Sequence, residues 1–233
     1  MQVIREIGVM LLAYLIGSIP FGLILVRLTT GKDLRSVESG RTGGTNAMRA
    51  AGAWAGLGTG ILDALKGAGA VWLSRWLLPG DHAWIHVLAP VAAILGHNYS
   101  IYLPERDEKG RLRLRGGAGG APCVGGSMGL WLPSGLLILP LGLAVWYFVG
   151  YASLTTMSVA LISTAIFAFR AWQIGPPQAP WEYAAYGVIS LLALAWALRP
   201  NIRRLVHGNE RLVGLRARLK RRKEGQSSSS SSQ

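Results

Sequence analysis

The sequence predicts an all-α integral membrane protein of about seven transmembrane helices, with its N-terminus outside and its C-terminus cytoplasmic. Three observations lead there. Of 233 residues, 51% are hydrophobic and 15% charged, against about 25% charged in a typical soluble domain, and the mean hydropathy is +0.34. The apolar residues gather into blocks long enough to cross hydrocarbon. The net charge of +13 sits almost entirely between and after those blocks. A basic balance alone would suit nucleic acid or an anionic membrane surface. Because the basic residues flank apolar spans, the lipid bilayer is the expected partner and nucleic acid is not.

A spanning helix needs about 20 mostly apolar residues. Block 7–26 is uncharged. It is longer than the apolar core of a cleaved signal peptide, so it reads as a retained span. Block 53–76 is apolar except for Asp63, Lys66 and Arg75, and block 83–103 lacks formal charge but holds His86 and His97. The uncharged stretch 116–169 holds three spans if one is short, with natural breaks at Pro133-Ser134 and Gly150. Block 183–198 is the last. Residues 1–212 thus form a single polytopic domain. Residues 213–233 form a basic, then serine-rich, cytoplasmic tail expected to be disordered. Cys123 is the single cysteine, so no internal disulfide framework exists.

Orientation follows from Lys and Arg, which concentrate on the cytoplasmic side. With seven spans, three segments share one face. They are 27–52 (Arg27, Lys32, Arg35, Arg41, Arg49), 104–117 (Arg106, Lys109, Arg111, Arg113, Arg115) and the chain from Arg199 onward. Together they hold all but Arg5, Lys66, Arg75 and Arg170 of the 24 basic residues. A six-span topology would divide them between the two sides.

Two loops on that face share a composition. One reads Ser39-Gly40-Arg41-Thr42-Gly43-Gly44-Thr45-Asn46 with Arg49 following, and the other Arg115-Gly116-Gly117-Ala118-Gly119-Gly120. Glycine lets successive backbone N–H groups approach a phosphate. Arginine adds a bidentate cation, and the helix that follows each loop presents a terminus that favours anions. Glycines also serve turns and close packing between membrane helices. Asp63 and Lys66 lie three apart, on one face of a helix. They form either an intramembrane pair that fixes packing or, through Lys66, a further anion contact. His97, near the cytoplasmic end of its block, is a candidate base or substrate contact. The sequence has no metal-ligand cluster, Walker-type loop or dinucleotide fingerprint, so no metal or cofactor is expected.

In this order and spacing, the motifs resemble the bacterial acyl-phosphate:glycerol-3-phosphate acyltransferases, the PlsY type. The likeness covers most of residues 9–212. It begins at Gly17-Ser18-Ile19-Pro20-Phe21-Gly22 and continues through Asp33-Leu34-Arg35, Ser39-Gly40 and Gly43-Gly44-Thr45-Asn46 with Arg49. Asp63-Ala64-Leu65-Lys66-Gly67, Gly96-His97 and Arg115-Gly116-Gly117-Ala118-Gly119 follow, then Asn201-Ile202 with Arg204-Leu205. The resemblance implies a multi-pass enzyme of a bacterial-type inner membrane, active at the cytoplasmic face. Its substrates would be acyl phosphate and glycerol 3-phosphate, and its products lysophosphatidic acid and phosphate, with no acyl-enzyme. It implies catalytic roles for Ser39, Asn46, Arg49, His97 and Asn201. It implies phosphate or substrate contacts for Gly40, Gly43, Gly44, Thr45, Lys66, Arg115, Gly116, Gly117 and Gly119, with Asp63 as partner of Lys66. The chain departs from the family's pattern at four points. Ala118 stands where the pattern has lysine, Leu198 where it has histidine, Arg41 where it has asparagine and Pro122 where it has threonine. The segment between His97 and Arg115 is also about nine residues longer than in that pattern. A non-catalytic or retargeted relative, or a small-anion transporter, are the alternatives. On the enzymatic reading, Asn46→Ala or Arg49→Ala is expected to abolish turnover while the protein remains extractable. Normal activity in both variants, in an assay of acyl transfer, would remove this site.

Overall fold

The computed structural model describes residues 1–220 and Arg222. The chain opens with α1 (Gln2–Ser18) and α2 (Phe21–Thr30), separated by a break at Ile19-Pro20. Proline has no N–H to continue the ladder, so the helix stops there and restarts. A 3₁₀ turn at Leu34–Ser36 leads to α3 (Gly44–Ala51), then to the long α4 (Ala53–Leu77) and α5 (Ala83–Asn98). The second loop folds into a hairpin of β1 (Pro104–Arg106) and β2 (Leu112–Leu114), antiparallel, with Glu105 opposite Arg113. Next come α6 (Gly120–Leu130), α7 (Ser134–Ala144) with a wide π-turn over Val145–Val149, and α8 (Ala152–Gln173). The chain closes with α9 (Glu182–Ala197) and α10 (Arg199–Val206).

The helices fall where the apolar blocks predict them, with α7 beginning at Ser134 and its π-turn ending at Gly150. The hairpin was not legible as strand. Asp107 makes its turn by accepting from the N–H groups of Lys109 and Arg111. Residues 214–220 are helical. The rest of the tail expected to be disordered, 221 and 223–233, lies outside the described residues.

Among the described residues, two helical stretches are long and apolar enough to cross a membrane, Gln2–Thr30 and Ala152–Gln173. The pair α9 and α10, bent by 71°, makes a third. The other expected spans fall short for identifiable reasons. Helix α4 carries three charges, α5 ends at Asn98, and α6 has 11 residues, about half a bilayer at 1.5 Å per residue.

Large apolar side chains face outward, among them Trp54, Trp76, Leu136 and Leu143, while Ala, Gly and Ser crowd the interior. That inversion suits hydrocarbon as solvent, where small residues let helices approach closely. Two examples show this packing. Gly96 of α5 lies against the Tyr14 carbonyl of α1, and Gly125 of α6 lies against the Ala64 carbonyl of α4, with no room for a Cβ at either.

Half-length α6 ends in buried Gly129 and Leu130, whose carbonyls have no partner within the helix. Arg75 of α4 donates to Gly129 O at 2.9 Å, Leu130 O at 3.0 Å and the Tyr183 hydroxyl at 3.0 Å. The third charge of α4 is therefore a helix cap. Gly125→Val is expected to force α4 and α6 apart, costing about 1–3 kcal/mol or more by overpacking. The check is a lower melting temperature of the detergent-solubilised protein than for Ala53→Val, whose site is exposed.

Candidate active site: an amphipathic cavity closed by two glycine loops

At the Ile19-Pro20 break, three carbonyls lose their helical partners. The Lys66 ammonium donates to Gly17 O and Ile19 O, both at 2.9 Å, and the Ser100 hydroxyl donates to Ser18 O at 2.6 Å. Asp63, one turn from Lys66 on α4, pairs with it at 2.9 Å; the two side chains are each 1% exposed. His97 Nδ1 lies 3.0 Å from the ammonium and 3.6 Å from the Asp63 carboxylate. Lys66 has three protons and four polar neighbours, so it has none to spare. It is not on the wall of the cavity described below, although the sequence suggested a phosphate contact. The pair bridges α4 to the broken first helix and to α5.

The same cluster seats the second loop. Gly117 N–H donates to His97 O at 2.8 Å, and the imidazole lies so close to Gly117 that a Cβ there would collide with it. Thr42 N–H donates to Gly116 O at 3.4 Å, and the Arg41 guanidinium donates to Gly117 O at 2.8 Å. The two glycine loops thus meet, a contact that their shared composition does not by itself imply. Gly116 and Gly117 serve this junction from behind the cavity wall. Arg115 also lies off the wall, paired with Glu105 of the hairpin and donating to Arg35 O, with Gly40 beside it. Arg35 in turn is bound by Asp33, whose carboxyl is lowered to about 2 by that hydrogen bond.

Beneath the loops lies a cavity of about 730 Å³. Ser39, Gly43, Gly44, Thr45, Asn46, Arg49, Asp63, His97, Gly119 and Asn201 all line it. Its lining also includes an apolar set, Leu57 of α4, Ile138, Leu139 and Leu143 of α7, Trp146 and Val159 of α8. The starts of α3, α6 and α8 converge on it through Gly44, Gly120 and Ser153. Helix N-termini favour negative charge. Arg41, Arg49, Arg204 and Arg211 add formal cations.

Asn46 is buried, and its amide nitrogen is shared among the carbonyls of Leu34, Val37 and Arg41 at 2.9–3.1 Å. It clips the first loop into shape, so its replacement would act on substrate through the loop. Asn201 is oriented at both ends. Its Oδ1 accepts from Arg41 at 3.1 Å and its Nδ2 donates to Glu210 at 3.4 Å.

Sequence reasoning missed Glu210, Ser153 and the apolar wall. Glu210 is buried, and its carboxylate accepts from the Ser153 hydroxyl at 2.6 Å and the Ser153 N–H at 3.3 Å. It caps α8 from a segment that follows α10. That segment is fastened by Arg211 to Glu38 at 2.7 Å and by Val213 N–H to Gly150 O at 2.9 Å. A carboxylate just past a basic helix carries no distinguishing sequence signal.

These features define an all-helical integral membrane protein that can receive an amphiphile with an anionic head. The family model described as glycerol-3-phosphate acyltransferase matches residues 7–208. The chain is 38% identical over 208 residues to the glycerol-3-phosphate acyltransferase of Rhodopseudomonas palustris, covering 89% of this chain and 96% of that one. It is 37% identical over 212 residues to that of Rubrobacter xylanophilus, covering 91% and 97%. It is also similar to the crystal structure of PlsY, an integral membrane glycerol 3-phosphate acyltransferase, in its glycerol 3-phosphate form. The TM-score is 0.73 at 27% identity, covering 92% of this chain and 98% of that one. The lysophosphatidic acid form gives a TM-score of 0.72 at 25% identity over the same coverage. This chain belongs to the glycerol-3-phosphate acyltransferase family.

Removing one member of a buried ion pair costs about 3–5 kcal/mol, because it strands the other charge. Lys66→Met is therefore expected to lower the melting temperature sharply. The Asp63→Leu/Lys66→Met double variant should recover part of the loss, but not the part due to the Gly17 and Ile19 carbonyls, which lose the ammonium, Ile19 O keeping the Phe21 N–H at 3.1 Å. Thermal unfolding in detergent checks both.

Proposed function

We propose that this protein transfers a fatty acyl group from acyl phosphate to the 1-hydroxyl of sn-glycerol 3-phosphate, giving lysophosphatidic acid and phosphate. The observation that carries the reading is the two-sided cavity of a chain in this family. Its lining combines arginines and three helix starts with an apolar set from α4, α7 and α8. Both substrates are phosphates, and one carries a fatty chain.

The 1-hydroxyl oxygen attacks the acyl carbonyl carbon. The acyl carbon–oxygen bond to phosphate breaks, and the hydroxyl proton passes to a phosphate oxygen. No protein nucleophile is required. The chain supplies position and positive potential where negative charge develops. Ser39, Thr45, Arg49 and Asn201 face the head groups, His97 closes the floor, and the acyl chain runs along Leu57, Leu139 and Leu143 (all wall residues).

In the bilayer, the proposed topology has seven spans with the N-terminus outside. The loops carrying Arg41 and Arg115, and the chain after Arg199, then share the cytoplasmic face with most of the basic residues. That face of a bacterial-type inner membrane is where soluble glycerol 3-phosphate would meet the cavity.

The test is phosphate release by the purified, detergent-solubilised protein given palmitoyl phosphate, with and without glycerol 3-phosphate. Acceptor-dependent release with lysophosphatidic acid formed is the expected result. Folded protein that binds glycerol 3-phosphate but releases nothing would overturn the enzymatic reading and leave a binding protein.

A further inference from the structure

We propose that Arg41 is itself an anion-binding residue of the cavity, supplying the cation for a substrate phosphate on a wall where Ala118 and Leu198 carry no charge. The proposal deepens the acyltransferase reading and rests on it for the substrate's identity.

Arg41 lines the cavity, and its guanidinium is tethered on two sides. Nη1 donates to Gly117 O at 2.8 Å, and Nη2 donates to Ala197 O at 2.8 Å and to Asn201 Oδ1 at 3.1 Å. All three acceptors are neutral. No carboxylate lies within ion-pair distance of it among the described residues. Tyr99 and then Glu210 act on it favourably, the Glu210 carboxylate being already held by Ser153 and Asn201, and Arg204 repels it. Burial, and then Arg204, lower its pKa, yet a guanidinium starts so high that it stays charged. A desolvated cation without a counter-charge is costly unless something else neutralises it. Its Nε–H and second Nη1–H have no acceptor among the described residues. They are the donors left for an anion in the cavity, and the three tethers hold the group ready for it.

The neighbours of those tethers make a second, independent point. Gly117 precedes Ala118 and Ala197 precedes Leu198, and both Ala118 and Leu198 face the cavity. One large cation from the first loop therefore lies between two uncharged wall residues from other elements.

A residue that only tethered the loops would give a different pattern of variants. The experiment measures binding of glycerol 3-phosphate and of inorganic phosphate by calorimetry to the solubilised wild type, Arg41→Asn and Arg41→Asn/Ala118→Lys. It runs beside the turnover assay. The expected result is binding of both anions by wild type, weakened about tenfold or more in Arg41→Asn, as for loss of a charge-assisted contact. The double variant should regain most of the affinity. Three outcomes would overturn the proposal: unchanged affinity in Arg41→Asn, a loss that adding Ala118→Lys does not restore, or failure of both variants to fold, which would assign Arg41 to the fold. Binding that follows this pattern without turnover would keep the anion site while the acyltransferase reading fails.

Discussion

The Lys66 ammonium ties three segments of this molecule to one another. It satisfies two carbonyls freed where Pro20 interrupts the first helix, pairs with Asp63 and touches His97. One cation therefore joins the broken helix, α4 and α5. In hydrocarbon, every unsatisfied backbone group costs several kcal/mol. A break at Pro20 is tolerable only with such a donor, and a lysine at that depth only with such acceptors. His97, fixed by the same cluster, then presents its carbonyl and ring to Gly117. The position of the glycine loops descends from a charge that does not face the cavity.

The cavity follows from a mismatch of helix lengths. Helix α6 is about half a span, so its N-terminus begins well inside the bundle, next to the starts of α3 and α8. Short helices leave open termini, and open termini inside a bundle must be capped or must bind something. At the far end of α6, Arg75 is the cap. At α8, Glu210 is the cap. At α3 and α6, the glycine loops leave backbone N–H groups and arginines around a space of phosphate-and-chain dimensions. The same cost of an unsatisfied polar group stabilises the fold at one end and creates an anion-binding surface at the other.

Much of this was legible in the sequence, because the signals were local. Apolar blocks located the helices, and Pro133-Ser134 and Gly150 divided the long uncharged stretch where the structure divides it. The kinship of the two glycine loops was visible in composition alone. Asp63 and Lys66 were readable as partners from their three-residue spacing. The candidate site residues Ser39, Thr45, Arg49 and Asn201 line one cavity because they lie on loops and helix starts whose motif order reflects the family's fold.

The remainder depended on contacts between distant segments. The sequence could not show that Lys66 spends its protons on Gly17 and Ile19, because helix periodicity does not report which carbonyls a break will free. It could not show that Arg115 turns to Glu105, that Asn46 clips its own loop, or that Glu210 returns to cap α8, at a residue 57 positions before it in the chain. Nor could it place Arg41 between Gly117 and Asn201. Composition and periodicity determined that this chain is a helical membrane protein with basic glycine loops on one face. Tertiary packing decided which of its charges hold the fold and which face the cavity, because a buried charge is assigned by the nearest group able to neutralise it.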